Sequence, residues 1–371
     1  MLRRHRRYFA VLAFVLLASP LVAEILWPGS KALSTDEARE LVAAPEFPVG
    51  IKRWIRIPEQ LDAYFRDHFG LREVFIRVDA LLSKNLHQNG NNLVLVGDNG
   101  RLFYRGDEMV RQSAGLILRL QRVSETADML AAMNSALAAR GVRLLVASPP
   151  NSATIYQDQL PIWARDRGRR TEYDAFLDDL AARGVPAVDL RQPLLAARTQ
   201  GNVYYLHDTH WTPRGAIAAF NVVGEAASHP DWRIDAASAL GPAVIRGGGD
   251  LARLLGLADD LMESSEELTL PSGKKEFFSP EPFQTYVERA DRPGPTIMII
   301  GDSFTEDFFA PMVLQHAANV VWLHHQFCGF DWKWIGQFHP DEVWWMPTER
   351  SILCKESTRP NGFPFDASAR R

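Results

Sequence analysis

Cysteine is scarce in this chain, with Cys328 and Cys354 the only two among 371 residues. That excludes a disulfide-stapled scaffold, and no Cys-x-x-Cys pair exists to hold structural zinc. The two thiols can pair in an oxidising compartment or simply lie buried among apolar neighbours. An excess of positive charge is also missing: 41 Lys and Arg stand against 45 Asp and Glu, for a net charge of -4. Four arginines, Arg3, Arg4, Arg6 and Arg7, crowd the extreme N-terminus, so the remainder is more acidic than the total. A nucleic-acid partner is therefore not expected. There are no internal repeats and no low-complexity tracts, and a 46% hydrophobic composition is enough to bury a real core.

One long apolar run is present. The segment "YFAVLAFVLLASPLVAEILW" follows the basic "RRHRR", is broken only by Glu24, and has roughly the length of a membrane-crossing helix. A basic flank on its N-terminal side keeps the arginines cytoplasmic and exports the rest. The run is either a cleaved signal peptide ending near Ala23 or an uncleaved anchor. Bulky Leu21 fits the small-x-small cleavage pattern poorly, so the anchor is the expectation. The organisation then reads as an anchor or signal over residues 1–28, a tether over 29–55 containing Pro45, Pro48 and Gly50, and one large domain over 56–365.

Within that domain, "LDAYFRDHFGLREVFIRVDALLSKNL" predicts two amphipathic helices or one kinked at Gly70, and "NLVLVGDNGRLFYRGD" predicts a hairpin around Gly97–Gly100. Five short apolar runs then alternate with helical segments: "VRLLVASPP", "VPAVDL", "TIMIIGDSF", "NVVWLHH" and "DEVWWMP". Such alternation predicts an α/β fold with a doubly wound parallel sheet. Residues from about 225 to 293 break the rhythm and read as an insertion with small β elements, "EELTLPSGKKEFF" being a candidate hairpin.

The chemistry concentrates in two places. Asp208 and His210 stand two apart in "YYLHDTHWTPRGA", a spacing that cannot share a helix face, so they belong to a βα loop. Thr212 and Pro213 then supply an N-cap and a proline at the first helical position. An aspartate on one imidazole nitrogen leaves the other free to take a hydroxyl proton, which asks for a nucleophile elsewhere. "TIMIIGDSFTEDFF" offers Ser303, after a buried strand and Gly301, at a helix start where backbone N–H groups and the helix dipole favour an oxyanion. Either motif alone is commonly structural; the two together, each at a strand end, point to catalysis. Metal ligation by His207, Asp208 and His210 with His324 or His325 is the competing reading, and it leaves "GDSF" unexplained.

These residues resemble a known group. "GDSF" is similar to the nucleophile block of SGNH, or GDSL-type, hydrolases, whose Asp and His normally follow the serine. Here Asp208-x-His210 precedes Ser303, an order that resembles the AlgJ/AlgX-type alginate O-acetyltransferase family. "DHFGLRE", "SPPNSATIYQDQLP", "DLARLLGL" and "HPDEVWWMPTER" add to the likeness, which runs from about Leu61 to Ile352. The resemblance implies a permuted SGNH-like fold and periplasmic O-acetylation of an exopolysaccharide. It implies Ser303 as nucleophile, His210 as base and Asp208 as its orienting partner, with no cofactor and no metal. It also implies an acetyl donor supplied by a membrane-bound O-acyltransferase partner. Ordinary SGNH enzymes carry an asparagine for the oxyanion where this chain has Met346-Pro347-Thr348-Glu349-Arg350, so the Ser303 N–H and, second, Arg350 are the donors on offer.

Other features carry a bland reading beside a functional one. Trp322, Trp344 and Trp345 fall on strands and read as core, whereas Trp332 and Trp334, beside Gly329 and Asp331, are candidates for stacking on sugar rings. "RDRGRR" from Arg165 to Arg170 is a solvated loop that could attract an anionic polymer. "RGGGD" from Arg246 to Asp250 lacks the lysine and spacing of a phosphate loop and reads as a flexible turn. An acetylesterase and a non-catalytic polysaccharide-binding subunit of an export complex remain alternatives to the transferase.

Overall fold

The computed structural model describes residues 91–271, 273–279, 283–355 and 359–362, together with the isolated positions Phe14, Ile57 and Leu61. The apolar run, the tether and the amphipathic segment before residue 91 lie outside the described residues. Among the described residues, no helix is long and apolar enough to cross a membrane.

Two compact units are present. One contributes residues 91–94 and 247–261 to the described part of the chain. It contains a one-turn helix, Asp250–Leu254, followed by Gly256 at φ +68°.

The other unit is built on a six-stranded sheet. Its chain order opens with β1 (Val94–Val96) and β2 (Leu102–Tyr104), which pair as the expected hairpin. Next come α1 (Leu120–Ala138), β3 (Arg143–Val146), α2 (Glu172–Ala182), α3 (Arg191–Arg198) and α4 (Pro213–Ala226). β4 (Ala243–Gly247) and β5 (Met262–Glu266) form a separate ribbon. Then follow β6 (Lys274–Ser279), β7 (Thr285–Arg289), β8 (Thr296–Gly301), α5 (Ala310–Leu314), β9 (Asn319–His324) and β10 (Glu342–Met346).

The main sheet has the order β3-β10-β8-β9-β7-β6. β3, β10, β8 and β9 are parallel neighbours, whereas β7 runs antiparallel to β9 and β6 antiparallel to β7. The expectation of a purely parallel sheet is thus corrected to a mixed one. The segment read as an insertion supplies the two antiparallel strands at one edge. The candidate hairpin in "EELTLPSGKKEFF" does not form, since β5 pairs with β4 and β6 with β7. "VPAVDL" makes only an isolated bridge between Ala187 and Val146.

The parallel strands read as continuous apolar runs because both of their faces are buried. Ile297, Ile299, Val320, Trp322, Trp344 and Met346 point to the face covered by α4 and α5, through Ile217, Phe220, Met312 and Val313. Met298, Ile300, Val321, Leu323, Val343 and Trp345 point the other way, onto Val123, Leu130, Met133 and Leu137 of α1 and Phe176 and Leu180 of α2. Each such fully buried large side chain contributes about 1.5–3 kcal/mol relative to exposure. The sheet is therefore doubly covered, as the alternation predicts. Cys328 and Cys354 are joined in a disulfide, which decides between the two fates open to them.

Candidate active site

The loop carrying Asp208 and His210 is pinned from several sides. It contains no strand; a single bridge between Tyr204 and Trp211 closes it, and the Tyr205 N–H donates to the His210 carbonyl at 3.2 Å. The Glu263 carboxylate accepts the N–H groups of Leu206 and His207 at 2.7 and 3.2 Å. From another side the buried Arg101 guanidinium donates to the carbonyls of Tyr205 and Tyr204 at 2.7 and 3.3 Å, while lying 3.6 Å over the Tyr156 ring. Burial lowers the Arg101 pKa, against the pull of nearby acidic groups. These side chains replace a strand partner, so the expected βα connection is an irregular loop ahead of α4. Its exit is as predicted: Thr212 accepts the Gly215 N–H at 3.3 Å and Pro213 opens the helix. Gly215 is required, because a Cβ there would lie 2.1 Å from the Val203 carbonyl oxygen.

The serine turn is fixed by a different set of contacts. β8 ends at Gly301, where a Cβ would meet Thr305 Oγ1 at 2.2 Å. That hydroxyl donates to the Asp302 carbonyl at 2.9 Å and accepts from Trp322 Nε1 at 2.9 Å. The Asp302 carboxylate accepts the N–H of Phe304 at 3.2 Å and of Thr348 at 2.9 Å, and also the Thr348 hydroxyl. Burial would raise the Asp302 pKa, but Arg350 and the Thr348 donors outweigh it and hold the carboxyl below its ordinary value. Asp302 is thus a charged tie between the ends of β8 and β10. Its role was not visible in the sequence, where it is simply the middle of Gly-Asp-Ser. Ser303 itself is exposed, and a π-helical turn, Thr305–Phe309, follows it. Such turns recur at functional sites.

β9 contributes a third tie, since the His325 N–H donates to the Gly301 carbonyl at 2.8 Å. The next three residues, Gln326, Phe327 and Cys328, all have left-handed φ values of 49°, 51° and 72°. Each such non-glycine residue costs about 1–2 kcal/mol. The imidazoles of His324 and His325 accept the N–H groups of Gln326 and Phe327 at 3.0 and 3.1 Å, and the disulfide closes the turn. Burial pushes the His325 pKa down to about 3, so its ring is the neutral acceptor this bond requires.

The two segments meet through their aromatic residues. The Trp211 ring lies 5.5 Å from Phe304 and stacks at 6.1 Å on Phe309, while the His210 ring is 5.0 Å from Phe304. Asp208 Oδ1 accepts the His210 N–H at 2.9 Å and lies 2.6 Å from its Nδ1. His210 Nε2 is 2.7 Å from Ser303 Oγ. An ionised carboxylate has no proton to give, so Nδ1 carries the hydrogen and Nε2 is left to accept the hydroxyl. Both ring nitrogens of His210 are therefore engaged in an Asp-His-Ser chain, and His324 and His325 have each committed Nδ1 to the backbone.

A recess of about 120 Å³ opens at Ser303, with Tyr205, Trp211, Phe304 and Phe308 among its walls. Asp208, His210, Arg246 and Asp307 supply its polar groups.

The residues expected to bind substrate are not part of this recess. Trp332 is buried in the core beneath α1, and Trp334 packs against Phe278 and Phe338. Trp334 stays half-buried, and neither ring lines the recess. Arg350 lies behind the turn, its guanidinium 5.3 Å from the Phe304 ring, where its charge acts on Asp302. Arg101, Glu263 and Asp302 were missed for one reason: charged residues in a sequence read as surface until their partners are known. Trp322, Trp344 and Trp345 are core, as read.

Residues 94–326 match the family described as SGNH hydrolase-like domain, acetyltransferase AlgX. The chain belongs to this family. Among curated relatives, the probable alginate O-acetylase AlgJ of Pseudomonas syringae pv. tomato is 27% identical over 174 residues, covering 47% of this chain and 42% of that protein. Its counterpart in Azotobacter vinelandii is 27% identical over 155 residues, covering 42% and 39%. The chain thus matches about two fifths of the length of these AlgJ proteins. Among solved structures, Bacillus cereus PatB1 with a sulfonyl adduct gives a TM-score of 0.52 at 12% identity, covering 73% of this chain and 98% of that one. A DHHW family protein from Eubacterium siraeum gives 0.50 at 15%, covering 74% and 97%. These structures share the α/β fold, and the family match bears out the AlgJ/AlgX-like character read from the motifs.

Proposed function

We propose that this chain is an O-acetyltransferase that carries an acetyl group on Ser303 and passes it to a hydroxyl of an exopolysaccharide such as alginate. The observation that carries this reading is the hydrogen-bonded chain from Asp208 through His210 to an exposed Ser303. As Oγ attacks the acetyl carbonyl, its proton moves to His210 Nε2, and the imidazolium that forms is balanced by Asp208. The tetrahedral intermediate collapses, the leaving group departs with that proton, and acetyl-Ser303 remains. An acceptor hydroxyl then gives its proton to His210, attacks the acetyl carbon and frees the serine. The Ser303 N–H, at the helix start, is the donor best placed for the oxyanion.

The AlgJ relatives named as alginate O-acetylases support the choice of acetyl group and polymer. A Cys328–Cys354 disulfide is compatible with an oxidising compartment, which together with the N-terminal apolar run supports periplasmic action from the inner membrane. In that setting a membrane-bound O-acyltransferase partner supplies the acetyl group. One observation favours a second reading, an acetylesterase: an exposed Ser303 is open to water as well as to sugar hydroxyls.

The test uses the full chain, a small acetyl ester and a polyuronate. Intact mass shows one added acetyl group, lost in Ser303→Ala, and acetate reaches the polymer faster than it reaches water. Faster release to water supports the esterase. A wild-type chain that neither acetylates itself nor turns over ester, yet binds the polymer, is the non-catalytic subunit instead.

A further inference from the structure

Arg246 was read from the sequence as the start of a flexible turn. In the structure it lies on β4, half-buried, with its guanidinium 3.9 Å from the centre of the Tyr205 ring, and it lines the same recess as Ser303 and His210. The turn begins only after it. Among the described residues no ion pair or hydrogen bond engages this guanidinium. Of the other arginines near the site, Arg101 donates to two carbonyls and Arg214 pairs with Glu266 at 2.5 Å, while Arg350 lies beside Phe304 with its charge acting on Asp302 and does not line the recess. An arginine flattened on an aromatic face has its plane fixed, and its edge N–H groups stay available for a planar anion.

Its platform is rigid. The Tyr205 carbonyl is held by Arg101 and its N–H by the His210 carbonyl. Burial raises the Tyr205 pKa, so the hydroxyl stays neutral and the ring presents an intact π face to the cation. The recess also contains a carboxylate of the opposite preference, the exposed Asp307 two residues beyond Thr305. An approaching anion is therefore drawn to the Arg246 side and repelled from the Asp307 side.

We propose that Arg246 is the specificity-determining residue for a carboxylated acceptor: it binds the carboxylate of a uronate unit at the recess mouth and turns a ring hydroxyl of that unit towards Ser303. This inference rests on the reading of the recess as the acceptor site. At the open mouth of the recess a charged fork supplies direction where walls do not.

The experiment measures binding, so it does not depend on turnover. Full-length Ser303→Ala is titrated with a uronate oligosaccharide and with the same oligosaccharide after reduction of its carboxyls to alcohols, at low and moderate salt. The uronate binds more tightly, and added salt narrows the gap. Adding Arg246→Gln weakens uronate binding by about ten- to hundredfold, the range of a charge-assisted hydrogen bond, and leaves the reduced oligosaccharide within about twofold. Arg246→Lys, a charge without the planar stack, falls between. Asp307→Asn tightens uronate binding by roughly two- to threefold. Equal losses on both oligosaccharides in Arg246→Gln, or none on either, overturn the proposal, as does a Ser303→Ala protein that does not prefer the uronate. A chain that discriminates through Arg246 but transfers no acetyl group counts against the catalytic reading alone. Ser303-dependent transfer indifferent to Arg246 counts against this one alone.

Discussion

Replacing Gly301 with alanine tests how tightly the serine turn is held. The new Cβ would lie 2.2 Å from Thr305 Oγ1, with the Thr305 Cβ and Cγ2 at 3.2 and 3.3 Å. Thr305 cannot simply swing away, because its hydroxyl joins the Asp302 carbonyl to the Trp322 indole and its side chain is fully buried. Overpacking of this kind costs about 1–3 kcal/mol. Leaving the buried Trp322 N–H without its acceptor adds roughly 1–3 kcal/mol. For a chain of this size the sum lowers the melting temperature by roughly 5–15 °C. A displacement of Ser303 by even 1 Å lowers turnover about a hundredfold. The assay is a double-mutant cycle, with thermal unfolding and hydrolysis of a small acetyl ester measured for Gly301→Ala, Thr305→Ala and the pair. Thr305→Ala removes the obstructing atom, so the pair should be more stable than the sum of the two single losses by at least about 1 kcal/mol. A Gly301→Ala protein with wild-type stability and turnover, or strictly additive losses, refutes the reasoning.

Asp208→Asn keeps the shape of the loop but lets Nδ1 become the acceptor, so the wrong tautomer faces Ser303 and ester turnover falls by about three to four orders of magnitude with stability within about 1 kcal/mol. The Cys328→Ser, Cys354→Ser double variant loses about 3.5 kcal/mol on chain-entropy grounds for a separation of 26 residues, measured by urea unfolding against the reduced and oxidised parent. Burial raises the Glu349 pKa from 4.5 to about 7, despite the donors Thr154 and Asn151. A raised acid contributes stability that is complete below pH 4.5 and lost as pH climbs through 7. Glu349→Gln should therefore gain on the parent in unfolding experiments at pH 8 and not at pH 4.5. His325, pushed down from 6.5 to about 3, works in the opposite sense: its contribution is complete above pH 6.5 and is lost as pH falls towards 3. Together the two groups predict a stability plateau between about pH 4.5 and 6.5, and a curve that falls monotonically across that window would contradict them.

The parts of this fold that were legible in the sequence are those specified by neighbours in the chain. Thr212 and Pro213 announce a helix start because capping is a matter of adjacent residues, and Trp344 and Trp345 announce a strand because a doubly covered strand is apolar at every position. Ser303, His210 and Asp208 could be named from residue type and spacing, and the structure brings them within hydrogen-bonding distance. What escaped depends on partners far away. β7 contains Glu288 and Arg289, which look like surface until β9 and β6 are seen to flank the strand. The edge strands reverse direction because they arrive from the insertion, which no local pattern records. Arg101 and Glu263 are buried charges whose only signature is the loop they hold. Trp332 is buried and Trp334 half-buried for the converse reason, since glycines nearby imply exposure but tertiary packing decides it. Arg246 was read with the glycines after it rather than with the strand that contains it.

The π-helical turn after Ser303 carries a history and a vulnerability. Such a turn is an α-helix that has accepted one extra residue, and the surplus is absorbed between Thr305 and Phe309 without disturbing what lies on either side. Excising a single residue from that bulge would restore regular winding and shift Phe309 relative to Ser303, loosening its stack on the indole of Trp211. The spare residue thus sets the spacing between the serine and the ring that docks the histidine loop. A deletion there would be felt by a loop almost a hundred positions upstream, although no residue of that loop had changed.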